Sequence, residues 1–173
     1  MANKKILLMI AGQEFQPIEY GHTKKVLEDN DIEVVTGSNV SGQAYATDGS
    51  VVHVNMVIPE IDMDLFDGIF LIGGAGALKS LDNGDVYNLL RTAEHEDKPY
   101  GAICVSPRIL ARAGVLAGKR ATGWDEDEKL ASIFEEYDVD YIHEPVVVDG
   151  NVVTARGPKQ AEEFGKAIVR IVK

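Results

Sequence analysis

Short apolar runs recur along the chain, each closed by glycine, charge or a turn residue, at positions 6–10, 32–36, 67–72 and 100–103. A continuous run of this length suits a strand covered on both faces, as in a parallel sheet. Between the runs lie helical patterns. Residues 17–30 place Ile18, Val26 and Leu27 among polar positions, and residues 86–97 form a second helix. A third begins at Ser106-Pro107 and stops near Ala113-Gly114. Residues 126–137 read as an acidic helix, and 158–172 carries Ala161, Phe164, Ile168 and Ile171 on one face. Two stretches read as hairpins. One is 39–56, with Gly42, Asp48-Gly49 and alternating Val52, Val54 and Met56; the other is 146–154, with Asp149-Gly150 in its turn. Residues 119–122 add a short strand.

Strand and helix in alternation predict an α/β fold: a three-layer sandwich with a mostly parallel sheet and helices on both faces, built as one domain over 1–173. Composition changes little in this picture, at 45% apolar and 26% charged. Charge changes more. Seventeen basic residues against 28 acidic ones leave −11, so nucleic acid and anionic membrane are disfavoured partners. The apolar run 6–10 is too short for a membrane span, and the lead Met1–Lys5 offers no cleavage site of small residues, so a cytoplasmic protein is expected. The single cysteine can form no internal disulfide. His22, His53, His95 and His143 are scattered without zinc-site spacing, so neither metal nor cofactor is expected.

Ligands of such sheets bind outside the carboxyl ends of the strands. Three features end core strands: the loop from Gly12 to Gln16, the turn Gly73-Gly74-Ala75-Gly76, and Cys104. The glycine turn lets backbone approach a ligand closely, but no Gly-Lys-Ser/Thr follows it, so it is not a phosphate loop. Cys104 sits in a tight turn from strand to helix. Ser106 is a favoured N-cap and Pro107 a favoured first helical residue, so the thiol lies before a helix N-terminus and is expected to ionise more readily than a free one. A lone cysteine is also often a small buried hydrophobe, and the turn alone weighs the two readings evenly.

Five segments together carry a resemblance that spans essentially the whole chain: Ile6 to Ala11 with Glu14-Phe15; Phe66-Asp67-Gly68-Ile69 through Gly73-Gly74; Lys98-Pro99 through Cys104; Ala113 to Gly118; and Val146 to Asn151. The chain resembles the DJ-1/PfpI superfamily, and in length and layout its PfpI-type intracellular proteases. The resemblance implies a flavodoxin-like fold, Cys104 on a nucleophile elbow, and a homodimer or higher homo-oligomer. It also implies departures. The proteases' histidine after the cysteine is here Val105, and the place of their partner glutamate is Leu78. The superfamily's first-loop glutamate, hydrogen-bonded to the sulfur, aligns with Gln16, an amide that can donate to a thiolate but cannot exchange its proton at neutral pH. Glu14 or Glu19 would have to substitute, although both are expected at the surface. The place of a frequent pocket His or Tyr is Trp124.

The expected site therefore has Cys104 as nucleophile with Gln16 at the glutamate position, and a pocket of Gly73, Gly74, Val105, Trp124 and Glu14. The N–H groups of Gly74 and Val105 form the oxyanion hole. Arg108, one turn into the helix, is a candidate for binding a carboxylate or an oxidised sulfur. The reading is a cysteine acting without cofactor on a small electrophile, an aldehyde or glyoxal, an isonitrile or an amide. The alternative is a redox or stress sensor or a small-ligand-binding protein. A cysteine peptidase ranks last.

Overall fold

β1 (Lys5–Ile10) lies within a seven-stranded sheet, and its alternating side chains feed two cores at once. Leu7 and Met9 enter one layer, Ile6, Leu8 and Ile10 the other, and all five are fully buried. A strand covered on both faces leaves no place for a polar residue, which is why the run is unbroken. The computed structural model describes residues 3–173; Met1 and Ala2 of the N-terminal lead lie outside the described residues.

β1 is followed by β2 (Gln13–Phe15), α1 (Pro17–Glu28), β3 (Glu33–Ser38), β4 (Gly42–Ala46), β5 (Val51–Val54), β6 (Met56–Val57) and β7 (Gly68–Leu71). The second half runs α2 (Ala77–Ser80), α3 (Gly84–His95), β8 (Tyr100–Ile103), α4 (Pro107–Ala113), β9 (Arg120–Ala121), α5 (Leu130–Glu136), β10 (Asp140–Tyr141), β11 (Val146–Asp149), β12 (Val152–Ala155) and α6 (Ala161–Val172). The main sheet has the order β11-β12-β8-β7-β1-β3-β6 and is parallel except for β11, which pairs antiparallel with β12. α1 and α6 cover one face through Leu27, Phe164 and Ile168. α3, α4 and α5 cover the other through Val86, Leu90, Ile109, Leu110, Leu130 and Phe134. This is the mostly parallel, flavodoxin-like sandwich that the alternation and the resemblance predict.

Strand order reverses at β1, since β3 lies on one side of it and β7 on the other. The loops after β1, β7 and β8 therefore open on the crevice where such sheets hold their ligands.

Two elements differ from expectation. The 39–56 hairpin forms, but β4 pairs with β2 in a separate three-stranded sheet, and the main sheet's edge is taken by β6. The acidic helix begins only at Leu130. Its N-terminal part is drawn into turns because Asp125 Oδ1 accepts from the Leu130 N–H (2.9 Å) and Asp127 is held by Arg108.

Candidate active site

Cys104 follows β8 directly, and the backbone there is unusual. Its φ is 64°, a left-handed conformation that a non-glycine residue adopts only at a cost, typically repaid by surrounding structure at a functional position. Three bonds hold the turn. Cys104 N–H donates to the Ala155 carbonyl (2.9 Å), the Cys104 carbonyl accepts from Trp124 N–H (2.7 Å), and Ser106 Oγ donates to the Ile72 carbonyl (2.8 Å). Ser106 is thus not the capping residue expected of it. Its hydroxyl ties the elbow to the end of β7, and its backbone is already helical.

The first loop brings the largest correction. Gln16 does not stand at the sulfur; its Oε1 accepts from the N–H groups of Ile18 (2.6 Å) and Glu19 (3.1 Å), which makes it the N-cap of α1. The acid beside the sulfur is Glu19, expected at the surface but fully buried. The reason is the phase of α1. Its inward positions include Glu19, Thr23 and Leu27, spaced by four, whereas Ile18 is 45% exposed. Reading the apolar face from Ile18 rotates the helix by one residue. Anchoring it on Leu27 and stepping back by fours would have pointed to Glu19.

Glu19 Oε1 accepts from Gly73 N–H (2.8 Å), Oε2 has no hydrogen-bond partner, and the Cys104 thiol lies beside the same carboxyl group. Burial lifts the carboxyl from 4.5 to about 7, against the pull of the Gly73 N–H and the thiol. The thiol rises to about 12, first through burial and then through the charge of Glu19. The backbone N–H groups of Gly74 and Val105 lie beside the sulfur and work the other way, favouring the thiolate. The expectation of an acidified thiol is therefore overturned. α4 is only seven residues long, and a buried sulfur beside a carboxylate keeps its proton at neutral pH. What the pair offers is a proton acceptor beside a thiol, with two N–H groups ready for the anion.

Close approach requires the glycines. A Cβ on Gly73 would lie 2.5 Å from Cys104 Cβ and 2.8 Å from Glu19 Oε1. Gly74 has φ 110°, and a Cβ there would lie 2.4 Å from the Glu14 carbonyl. Glu14 itself is not a pocket residue. Its side chain is exposed and reaches Lys79 (3.5 Å). Leu78 is half-buried and packs on the core beneath α3 and α4.

Trp124 is half-buried against the core that contains Cys104. The Arg108 guanidinium lies 5.4 Å from its ring and donates to its carbonyl (3.1 Å) and to both oxygens of Asp127 (3.0 and 2.7 Å). Arg108 therefore clamps the pocket wall and is not free to bind an incoming acid. Its pull holds the Asp127 carboxyl down at about 2. Arg108→Leu is expected to cost about 1–2 kcal/mol, less than a fully buried pair because Asp127 keeps access to water. Since Trp124 is the sole tryptophan, a red shift of intrinsic fluorescence should report the loosened wall, and an unchanged spectrum would contradict the clamp. A cleft of about 610 Å³ opens beside this wall, lined in part by Gly123, Trp124, Tyr141 and Arg156. Among the described residues no group of three or more His, Cys, Asp or Glu side chains is placed to hold a metal ion. Nor is any helix among them long and apolar enough to cross a membrane.

Known proteins resemble the chain over nearly its whole length. The sequence model of the DJ-1/PfpI family matches residues 4–171. An uncharacterised protein of Methanocaldococcus jannaschii is 32% identical over 174 residues, covering 100% of this chain and 84% of that one. The deglycase PfpI of Pyrococcus furiosus is 29% identical over 169 residues, covering 96% and 99%. Among solved structures, a ThiJ/PfpI domain protein of Brachyspira murdochii superposes with a TM-score of 0.92 at 28% identity, covering 99% of this chain and 98% of that one. DJ-1beta of Drosophila melanogaster gives 0.89 at 26%, covering 99% and 91%.

Proposed function

The chain belongs to the DJ-1/PfpI family, and from that premise we propose that it is a cofactor-independent enzyme using Cys104 as nucleophile on 2-oxoaldehydes and their adducts with amines. The observation that carries this reading is the Glu19 carboxyl, fully buried beside the thiol with Oε2 unpartnered. The name deglycase, borne by relatives that match nearly the whole chain, supports the substrate class.

The chemistry follows from the placement of the groups. Glu19 takes the thiol proton as the sulfur attacks the aldehyde carbon. The carbonyl oxygen becomes an oxyanion, stabilised by the N–H groups of Gly74 and Val105. Glu19 returns the thiol proton to that oxygen, which gives the hemithioacetal, and then carries the proton of the former aldehyde carbon to the neighbouring carbonyl carbon. The product is a thioester of a 2-hydroxy acid, formed without any external oxidant because one carbon is oxidised as the other is reduced. Water then releases the acid and restores the thiol. With an amine adduct the sulfur displaces the amine from the same carbon, the C–N bond breaking as C–S forms, and the proton that Glu19 took from the thiol leaves with the amine. A peptidase reading finds no support, because Val105 and Leu78 stand where that machinery would need its histidine and glutamate.

Turnover of methylglyoxal, and recovery of free amine from its adducts, should vanish in Cys104→Ala; equal activity in wild type and variant would sink the proposal. The base must be ionised, so kcat/KM should rise with pH and level off above an inflection near 7, the value to which burial lifts Glu19. A flat profile between pH 5 and 9 would exclude Glu19 as the base.

A further inference from the structure

The cleft beside Trp124 is several times larger than a three-carbon aldehyde requires, and Cys104 itself is not among its lining residues. Its walls grow from segments that hold the nucleophile. Trp124 N–H donates to the Cys104 carbonyl (2.7 Å), and Arg156 follows Ala155, whose carbonyl receives the Cys104 N–H (2.9 Å). These two bonds tie the cleft wall to the Cys104 turn, so the amine half of an adduct attacked there would extend towards this space.

The lining says what that half should carry. Arg156 and Lys159 contribute two cations, and among the described residues neither forms a salt bridge. In a chain of net charge −11, two unpaired cations in one concavity run against the general field. The carboxylate nearest to hand is already engaged, since Asp125 Oδ1 accepts from Leu130 N–H (2.9 Å) and Oδ2 from the Tyr141 hydroxyl (3.1 Å). Arg156 lies beside that same hydroxyl at the cleft wall. Opposite charge is supplied by Asp125, held in those two bonds, and by exposed Glu126, neither of which pairs with Arg156 or Lys159. The other surfaces are flat and aromatic: Trp124 on one side, and Tyr141 stacked on His143 with ring centroids 4.1 Å apart on the other.

Resting on the function proposed above, we infer that the cleft selects adducts whose amine half bears a carboxylate, namely glycated free amino acids or short peptides held through the α-carboxylate by Arg156 with Lys159. A bidentate guanidinium–carboxylate pair is the strong form of such an interaction, and its loss should read out as roughly a tenfold change or more.

The test compares the methylglyoxal adducts of alanine and of alaninamide, which differ only in that charge. The wild type should show a KM at least about tenfold lower for the alanine adduct, and Arg156→Gln should bring the ratio towards one, with Lys159→Gln as a second, weaker case. Binding is read separately in Cys104→Ala by Trp124 fluorescence, titrating N-lactoylalanine against its carboxamide. The acid should bind about tenfold more tightly, and this preference should disappear when Arg156→Gln is added. Equal affinities in that titration overturn the inference whether or not the protein turns over. Absence of turnover with a retained acid preference instead removes the proposed chemistry and leaves the cleft as a carboxylate site.

Discussion

Glu19→Gln is expected to abolish turnover and at the same time to raise the melting temperature at pH 8. The two effects have one cause. In the folded protein Glu19 holds its proton up to about pH 7, whereas an unfolded chain releases it near 4.5. A raised carboxyl costs stability: between those values the unfolded state binds fewer protons than the native one, so stability falls as pH rises from 4.5 to 7 and stays low above. The full difference is about 3 kcal/mol. Glutamine keeps an oxygen for the Gly73 N–H, now 2.8 Å from Glu19 Oε1, but has nothing to ionise. Calorimetry of the variant should therefore show a clear gain over wild type at pH 8 and little or none at pH 4.5. Activity should fall by about 10²–10⁴, the usual loss when a positioned general base is removed. A variant that kept its activity, or whose stability difference ignored pH, would show that Glu19 is neither the base nor a strained acid.

The second large effect is expected at Gly73. A methyl group there meets Cys104 Cβ at 2.5 Å, Glu19 Oε1 at 2.8 Å and the Ile103 carbonyl at 3.0 Å. None of these can swing aside cheaply, because one is the first atom of the nucleophile's side chain, one belongs to a fully buried carboxyl and one is backbone. Gly73→Ala should lower stability by about 1–3 kcal/mol and the melting temperature by about 3–10 °C. It should also reduce kcat/KM more than about 100-fold, since a displacement of an ångström separates sulfur, base and N–H donors. Gly84→Ala is the matched comparison, because nothing lies within 4 Å of a Cβ at that position, and it should retain both stability and activity. If the two alanine variants behaved alike, the tight packing of the Gly73 turn against Cys104 would have no functional meaning.

These expectations divide along what could be read from the residues. The strands were legible because double-sided burial writes itself as an uninterrupted run, as in Ile6 to Ile10. The nucleophile's turn was legible because Pro107 and Gly114 mark both ends of α4. The position of Gln16 was misread because an amide in the first loop satisfies two demands equally well in sequence, a partner for sulfur and a cap for a helix. Only the bonds to Ile18 and Glu19 show that it serves the second. The acidity of the thiol was misjudged for a similar reason. The helix end was visible in the sequence, but the burial of Cys104 and its neighbour Glu19 were not. Arg108 looked like a free cation because Asp127, its partner, lies nineteen residues away in a turn that reads as helix.

Local sequence thus determined the layers, the strand ends and the identity of the one residue able to act as a sulfur nucleophile. These depend on side-chain period and on backbone preferences carried within a few residues. Tertiary structure alone decided which acid stands beside that sulfur, because the choice rests on the rotation of α1 about its axis against α6 and the sheet. The four-residue step from Leu27 to Glu19 has meaning only once the packing partner of that face is in place.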